Sequence, residues 1–258
     1  MAAKSDATLR RVSHALVDQL QTLIPGEVTS RGSAQFPAST ARDLIGQVLF
    51  LLTDALYTLE RPTNTRANEL EQHLLARQQA EPTIREVIRQ VVGGDTADAL
   101  SPQASRLLFD LRAVLASTSL PAAVDSRFGT ARLIDYLRGA LIEAVALALR
   151  FRSELVDGAV TEATRALASA LGQRHPGAVI EVRVPPAVAV QIGALGQGPS
   201  HTRGTPPNVV ETDPVTFCAL AVGLRTWDTV VASGRVSASG AQVGVLPQML
   251  PVLALSDR

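Results

Sequence analysis

The sequence predicts an α+β protein, in which a bundle of four long helices precedes a smaller domain of mixed helices and strands. The chain has 258 residues, 46% of them hydrophobic, which is enough to bury two cores of ordinary size. Glycine and proline, which mark turns, rise from 13 residues in 1–152 to 20 residues in 153–258. Apolar residues recur at helical spacing before this change and alternate at strand spacing after it. We therefore predict domains at 1–152 and 153–258.

The first domain is predicted to be an up-and-down bundle, because its apolar residues recur every three or four positions. The predicted long helices cover residues 7–24, about 40–60, 102–116 and 130–152, and a more polar helical stretch over 65–92 is divided at Glu81-Pro82. Ser39 or Thr40 can cap the second helix, and Pro62 ends it.

The second domain is predicted to hold a small sheet covered on one face by helices. It opens with a helix over about 154–172, followed by the alternating segment VIEVRVPP and a second strand over 188–192, which together favour a hairpin. The segment NVVET predicts a short strand, and Asp213-Pro214 begins a helix that continues to Gly223. Thr226 can cap a short helix, residues 235–239 predict a last strand, and residues 243–254 form an apolar terminal segment.

Charge and composition exclude several classes of function. The 24 basic residues balance the 24 acidic ones, so nothing favours binding to nucleic acid. One cysteine excludes an internal disulfide, and the four histidines show no metal-ligand spacing, so His14 and His73 are expected to be solvated. We expect a cytoplasmic protein without a secretory signal. The uncharged stretch 236–256 contains glycines and prolines, so a membrane span is not expected.

Two polar residues interrupt otherwise apolar predicted helices. Gln47 falls on the stripe Leu44–Val48–Leu51, and Glu143 interrupts the segment GALIEAVALAL. A buried carboxylate must be paired, protonated, metal-bound or angled towards the rim. Glu143 is therefore predicted to bond to Gln47, with an acid–base pocket as the alternative.

The surrounding segments resemble a known family. ARDLIGQVLFLL and RLIDYLRGALIEAVALAL resemble the second-helix and last-helix motifs of mycothiol-dependent maleylpyruvate isomerase-like proteins, which are bundles related to the DinB group. The resemblance implies a metal site formed by a histidine and a Glu-x-x-x-His pair, which fall on Gln47, Glu143 and Leu147. Because only the glutamate matches, the site is predicted to be degenerate, and we expect neither a metal nor another cofactor.

The second domain resembles another family. The stretch from GPSHTRGTPPNVVET to VVASGRVSASG is similar to bacterial, actinobacterial-type sterol-carrier-like proteins, and the similarity covers about residues 155–253. This resemblance implies an α+β fold that encloses an apolar ligand tunnel. Isomerases of the maleylpyruvate type also carry such a second domain.

The loop HTRGTPPN is the best candidate for a polar ligand-binding site. His201, Thr202, Arg203 and Thr205 bring an imidazole, a guanidinium and two hydroxyls together, and this combination suits a carboxylate or phosphate headgroup. In the alternative, Arg203 pairs with Glu211 or Asp213 and the loop is a structural turn. Trp227 is a candidate ligand contact or a core residue.

Two other features of the second domain, Cys218 and the apolar terminal segment, are candidates for its core. Cys218, within an apolar helix, is predicted to be an inert buried thiol. The apolar terminal segment either closes the mouth of a tunnel or completes the core.

These features predict a protein that binds or carries a lipid-like ligand without catalysis. One alternative is a mycothiol-dependent isomerase or transferase with a rearranged site, and another is a protein-interaction scaffold. The sequence does not determine the oligomeric state or the identity of the ligand.

Overall fold

The computed structural model describes residues 2–24, 38–193 and 208–255 and forms two compact units, Met1–Ala159 and Val160–Arg258. It confirms the predicted class: a helical N-terminal region precedes a unit that contains a small sheet. The helix α7, which begins at Asp157, crosses the limit between the units. We retain 1–152 and 153–258 as proposed domain limits, because they leave this helix whole.

The N-terminal unit has four long helices, two shorter ones and a hairpin among its described residues. The long helices are α1 (Ala2–Leu23), α2 (Ala38–Leu59), α5 (Ala97–Leu115) and α6 (Leu133–Phe151), and the shorter ones are α3 (Leu70–Gln79) and α4 (Glu81–Val92). α1 packs along α6 and α2 along α5. Their apolar stripes form the core, with fully buried leucine and isoleucine side chains at Leu16, Leu20, Ile45, Leu49, Leu52, Leu111 and Leu137.

Two local predictions in this unit were wrong. The fourth long helix does not begin at residue 130, because residues 123–132 form an antiparallel hairpin of β1 (Ala123–Ser126) and β2 (Gly129–Arg132). The third does not begin near Pro102: the Thr96 side chain accepts a hydrogen bond from the backbone of Ala99, so α5 begins at Ala97 and Pro102 lies inside it. The division at Glu81 is where it was expected.

The C-terminal unit contains a four-stranded sheet in the order β4-β3-β5-β6. Its elements after α7 (Asp157–Arg174) are β3 (Ile180–Val184), β4 (Val188–Ile192), β5 (Asn208–Thr212), α8 (Pro214–Ala221), α9 (Trp227–Ala232), β6 (Val236–Ser239) and a 3₁₀ helix over Val243–Met249. The predicted β3–β4 hairpin is confirmed, and β3 also pairs in parallel with β5.

The central strand β3 has one buried apolar face and one polar face. Ile180, Val182 and Val184 are buried, whereas the alternating Glu181 and Arg183 are partly exposed and form an ion pair.

Candidate functional site

The polar site of the described bundle is centred on Arg77, which pairs with two carboxylates from different helices. Its guanidinium donates a hydrogen bond to Glu143 of α6 and another, of 2.7 Å, to Glu81 of α4. Glu143 is only 8% exposed, so its charge needs this partner. Burial raises the pKa of Glu143, and the Arg77 guanidinium limits the rise. The predicted hydrogen bond between Glu143 and Gln47 was wrong, because the Glu143 carboxylate is bonded to Arg77 instead.

Aromatic rings cover the Arg77 guanidinium. Its central carbon lies 5.8 Å from the centroid of the Phe50 ring and 5.4 Å from that of Phe128, at the tip of the hairpin. Ring faces attract a cation, and this attraction is stronger when the group is desolvated. The hairpin therefore helps to fix the guanidinium between its two carboxylates.

A second acid–base group lies beside the first. The Tyr136 hydroxyl donates a hydrogen bond of 2.7 Å to the Asp54 carboxylate, and Arg127 Nε lies 3.1 Å from the other oxygen of Asp54. Burial raises the pKa of Asp54, and hydrogen bonding from Tyr136 and the charge of Arg127 oppose the rise. Burial and the neighbouring Asp54 raise the pKa of Tyr136 well above its usual range. Tyr136 and Asp54 therefore form a buried hydrogen-bonded pair, and Arg127 of the hairpin contacts the same carboxylate.

His73 is buried, so the prediction that it would be solvated was wrong. It is 3% exposed and makes edge-to-face contacts with Phe128 and Tyr136, at ring-centroid distances of 6.0 and 5.7 Å. Burial, together with the charge of Arg77, lowers its pKa to about 4. The imidazole is therefore neutral at neutral pH. His14 is exposed, as expected.

These side chains surround a small internal space. The space has a volume of about 10 Å³, which is room for about one water molecule. The space is lined by Phe50, Leu51, Asp54, His73, Arg77, Phe128, Tyr136, Ala140 and Glu143. It can therefore hold a water among ionisable groups, whereas a larger ligand requires the hairpin or a side chain to move.

The three positions that the resemblance assigns to a metal do not fit one. Glu143 is bonded to Arg77, Gln47 is half-buried in α2, and Leu147 is a buried apolar side chain one turn after Glu143. Leucine has no donor atom, and neither Gln47 nor Leu147 lines the internal space. Within the described parts of the chain, no three His, Cys, Asp or Glu side chains are grouped so as to hold a metal ion.

Most predicted ligand-binding residues of the second domain lie outside the described residues; these are His201, Thr202, Arg203 and Thr205. Trp227 is described: it is half-buried at the start of α9, which Thr226 caps.

Asp213, one of the proposed alternative partners of Arg203, caps α8 in the structure. Its carboxylate accepts hydrogen bonds from the backbone and hydroxyl of Thr216 at 2.9 and 2.6 Å, and lies 3.8 Å from Arg235. Although burial opposes the shift, the bonds from Thr216 hold the pKa of Asp213 below its usual value. Glu211 is exposed on β5.

Cys218 is a buried thiol on α8. Its sulfur lies 3.3 Å from the hydroxyl of Thr164 on α7, and burial raises its pKa to about 11. A neutral, buried thiol is a poor nucleophile, which agrees with the interpretation of this residue as inert.

The fold and the site thus define a helical bundle with an internally paired charge cluster, joined in sequence to a small α+β unit. Residues 157–252 match the family model described as bacterial SCP ortholog, that is, a sterol-carrier type. This match confirms the resemblance of the C-terminal unit to sterol-carrier-like proteins.

Two solved structures are similar to the chain as a whole. One is the mycothiol-dependent maleylpyruvate isomerase, with 14% identity, a TM-score of 0.46 and 93% of each chain covered. The other is a variant of that enzyme in which alanine replaces a histidine, with the same identity and coverage and a TM-score of 0.45. A comparison with curated proteins gave no match. None of the described helices is both long and apolar enough to cross a membrane.

Proposed function

We propose that the C-terminal domain, residues 153–258, binds an apolar or amphipathic, lipid-like molecule and carries it without making or breaking bonds. The observation that carries this proposal is the match of residues 157–252 to a sterol-carrier family model. The N-terminal bundle is then a metal-free relic of an isomerase-like site.

The apolar terminal segment supports this proposal by supplying interior surface. Residues 236–256 contain no charged side chain. Within this stretch Leu246, Met249, Val252 and Leu253 are buried. The Val252 backbone donates a 2.8 Å hydrogen bond to Ala221, which fixes the segment to the end of α8. These residues belong to the core, and the apolar ligand would bind against such a core rather than under a detached lid.

The polar end of the ligand is assigned to the loop 201–205. An arginine can bind a carboxylate or phosphate with two parallel hydrogen bonds, and Arg203 is the arginine of this loop. Trp227 is proposed to contact the ligand. In this arrangement the alkyl chain gains about 0.8 kcal/mol for each methylene that is buried, so affinity should rise with chain length until the cavity is full.

The single tryptophan of the chain provides a direct test. A fluorescent fatty acid and a neutral fluorescent sterol are titrated into the full chain while Trp227 is excited, and energy transfer to the ligand is measured. Saturable transfer at one ligand per chain is expected for both classes or for one of them. Absence of saturable binding of either ligand to the folded chain would end the carrier proposal and leave the scaffold alternative ahead.

A pair of matched variants tests the headgroup assignment. Arg203→Ala should weaken the binding of the fatty acid by about 10- to 100-fold, the loss expected for a charge-assisted hydrogen bond. The affinity for the sterol should not change. Arg225→Ala removes the same charge at an exposed position of the same unit and should change neither affinity. Equal losses in the two variants would show that net charge, rather than the loop, attracts the anion.

One observation favours the second candidate, an isomerase or transferase that uses mycothiol. Asp54, Tyr136, His73 and Glu143 are ionisable groups around a space that has room for a water molecule. An enzyme of this class should lose its turnover in Asp54→Asn. Turnover that survives this change would require a different site.

A further inference from the structure

The bundle contains a cation of its own at the glutamate that the resemblance assigns to a metal. Arg77 reaches Glu143 from α3, and its side chain is only 6% exposed. The same guanidinium bonds to Glu81, so it connects α3, α4 and α6 through two carboxylates. No other described position of the expected ligand set, which comprises Gln47 and Leu147, offers a negative charge or an imidazole.

We propose that Arg77 replaces the metal ion as the cation that neutralises Glu143, and that it keeps divalent cations out of the bundle. A guanidinium carries its charge permanently and offers five donors in a fixed plane. A divalent ion would need the same carboxylate oxygens and would meet the positive charge of Arg77 a few ångströms away, which is strongly unfavourable where water is scarce. The cation at Glu143 is therefore a guanidinium that belongs to the chain itself.

The surroundings hold the guanidinium in place. The rings of Phe50 and Phe128 have their centroids 5.8 and 5.4 Å from its central carbon. The position of Arg77 on α3 directs its side chain inward, because it lies on the buried face of that helix, together with Leu70, His73 and Leu74. Arg77 cannot leave Glu143 for water without exposing this apolar lining, so added metal should not displace it.

The proposal predicts that two histidines alone will not create a metal site. Gln47→His/Leu147→His supplies the imidazoles that the resemblance implies but keeps Arg77. The triple variant with Arg77→Met supplies the same imidazoles and removes the charge, while the flexible apolar side chain of methionine can still pack against Phe50 and Phe128. Absorption of bound Co²⁺ and calorimetry with Zn²⁺ measure the outcome in the full chain.

Tight binding of one metal ion is expected only in the triple variant, with an affinity about 100-fold or more above that of the double variant. Equal binding in the two variants would overturn the proposal, because Arg77 would then exclude nothing. A folded triple variant that binds no metal would also overturn it, as would one tightly bound metal ion in the unaltered chain that Glu143→Ala removes.

If Arg77→Met destabilises the chain, a double-mutant cycle with Glu143→Gln tests the same proposal. Glu143→Gln should lower the unfolding temperature of the unaltered chain, because it removes one of the two negative charges that compensate the buried Arg77. In the Arg77→Met background it should raise the unfolding temperature, because it removes a carboxylate that has lost its cation. A change of the same sign in both backgrounds would show that Arg77 is not the partner that neutralises Glu143.

Discussion

His73 should make the bundle lose stability as the pH falls through the mildly acidic range. An unfolded histidine takes up a proton near pH 6.5, whereas burial and Arg77 lower the pKa of His73 to about 4 in the folded chain. Between these values the unfolded chain binds more protons, so the free energy of unfolding decreases as the pH decreases. The pKa difference is 6.5 − 4, or about 2.5, which corresponds to a loss of about 3 kcal/mol over the whole interval.

Other groups around the imidazole titrate in the opposite sense. Burial raises the pKa values of Asp54 and Glu143, so protonation of these acids at low pH favours the folded state. The His73 contribution must therefore be measured as a difference between two proteins. His73→Leu is a suitable reference, because leucine is similar in volume and does not titrate. Phenylalanine is less suitable, because its ring is larger and Gly139 packs closely against the imidazole. A Cβ added at Gly139 would lie only 3.1 Å from the His73 ring.

Urea unfolding of both proteins, followed by circular dichroism from pH 7.5 to pH 4, gives this difference. The helices of the bundle dominate that signal, and Trp227 fluorescence reports the C-terminal unit separately. The unaltered chain should lose about 3 kcal/mol relative to His73→Leu, and His14→Gln is the control for removing an exposed histidine. Parallel curves for the unaltered chain and His73→Leu would refute the reasoning. So would an NMR titration in which the His73 imidazole gains its proton near pH 6.5.

Three further predictions concern single buried contacts. Tyr136→Phe removes the donor to Asp54 and should cost about 1.5–3 kcal/mol in urea unfolding, while a cost near zero would mean that the carboxylate finds another donor. Gln19→Leu should cost about 1–3 kcal/mol, because the buried amide donates to the carbonyl of Glu154 at 2.9 Å; an unchanged midpoint would contradict this. Cys218 should react with a thiol reagent at pH 8 only after unfolding, and rapid reaction of the native chain would contradict the assigned burial.

Elements with a long periodic pattern could be predicted from the sequence, and short ones could not. The helix predicted over residues 7–24 is observed over Ala2–Leu23, and the alternation in VIEVRVPP predicted the strand β3. The hairpin strands β1 and β2 have four residues each, too few for alternation to stand out from a helical pattern. Gly129 at φ +93° marks the turn, but a lone glycine near a predicted helix gives only a weak signal.

The charge cluster required knowledge of packing that a single sequence does not contain. Glu143 could be identified as a buried acid because it interrupts an apolar helix, but its partner is 66 positions earlier in the chain. One signal for that partner was present: Leu70, His73, Leu74 and Arg77 follow helical spacing, and all four are buried. Counting only apolar residues made α3 look like a polar surface helix, which is why both His73 and Arg77 were missed.

The arrangement of charges explains how the bundle can bury two acids, since each of them contacts an arginine. Asp54 and Glu143 each contact an arginine, and Arg127 reaches Asp54 from the hairpin with a side chain that is 49% exposed, whereas Arg77 is buried. Exposure to water screens the Arg127 pair, whereas loss of Arg77 would leave the buried Glu143 charge without its cation. A change at Arg127 should therefore cost less stability than a change at Arg77, which bonds to carboxylates on two other helices. Through Arg77, the buried Glu143 takes part in the packing of three helices, α3, α4 and α6.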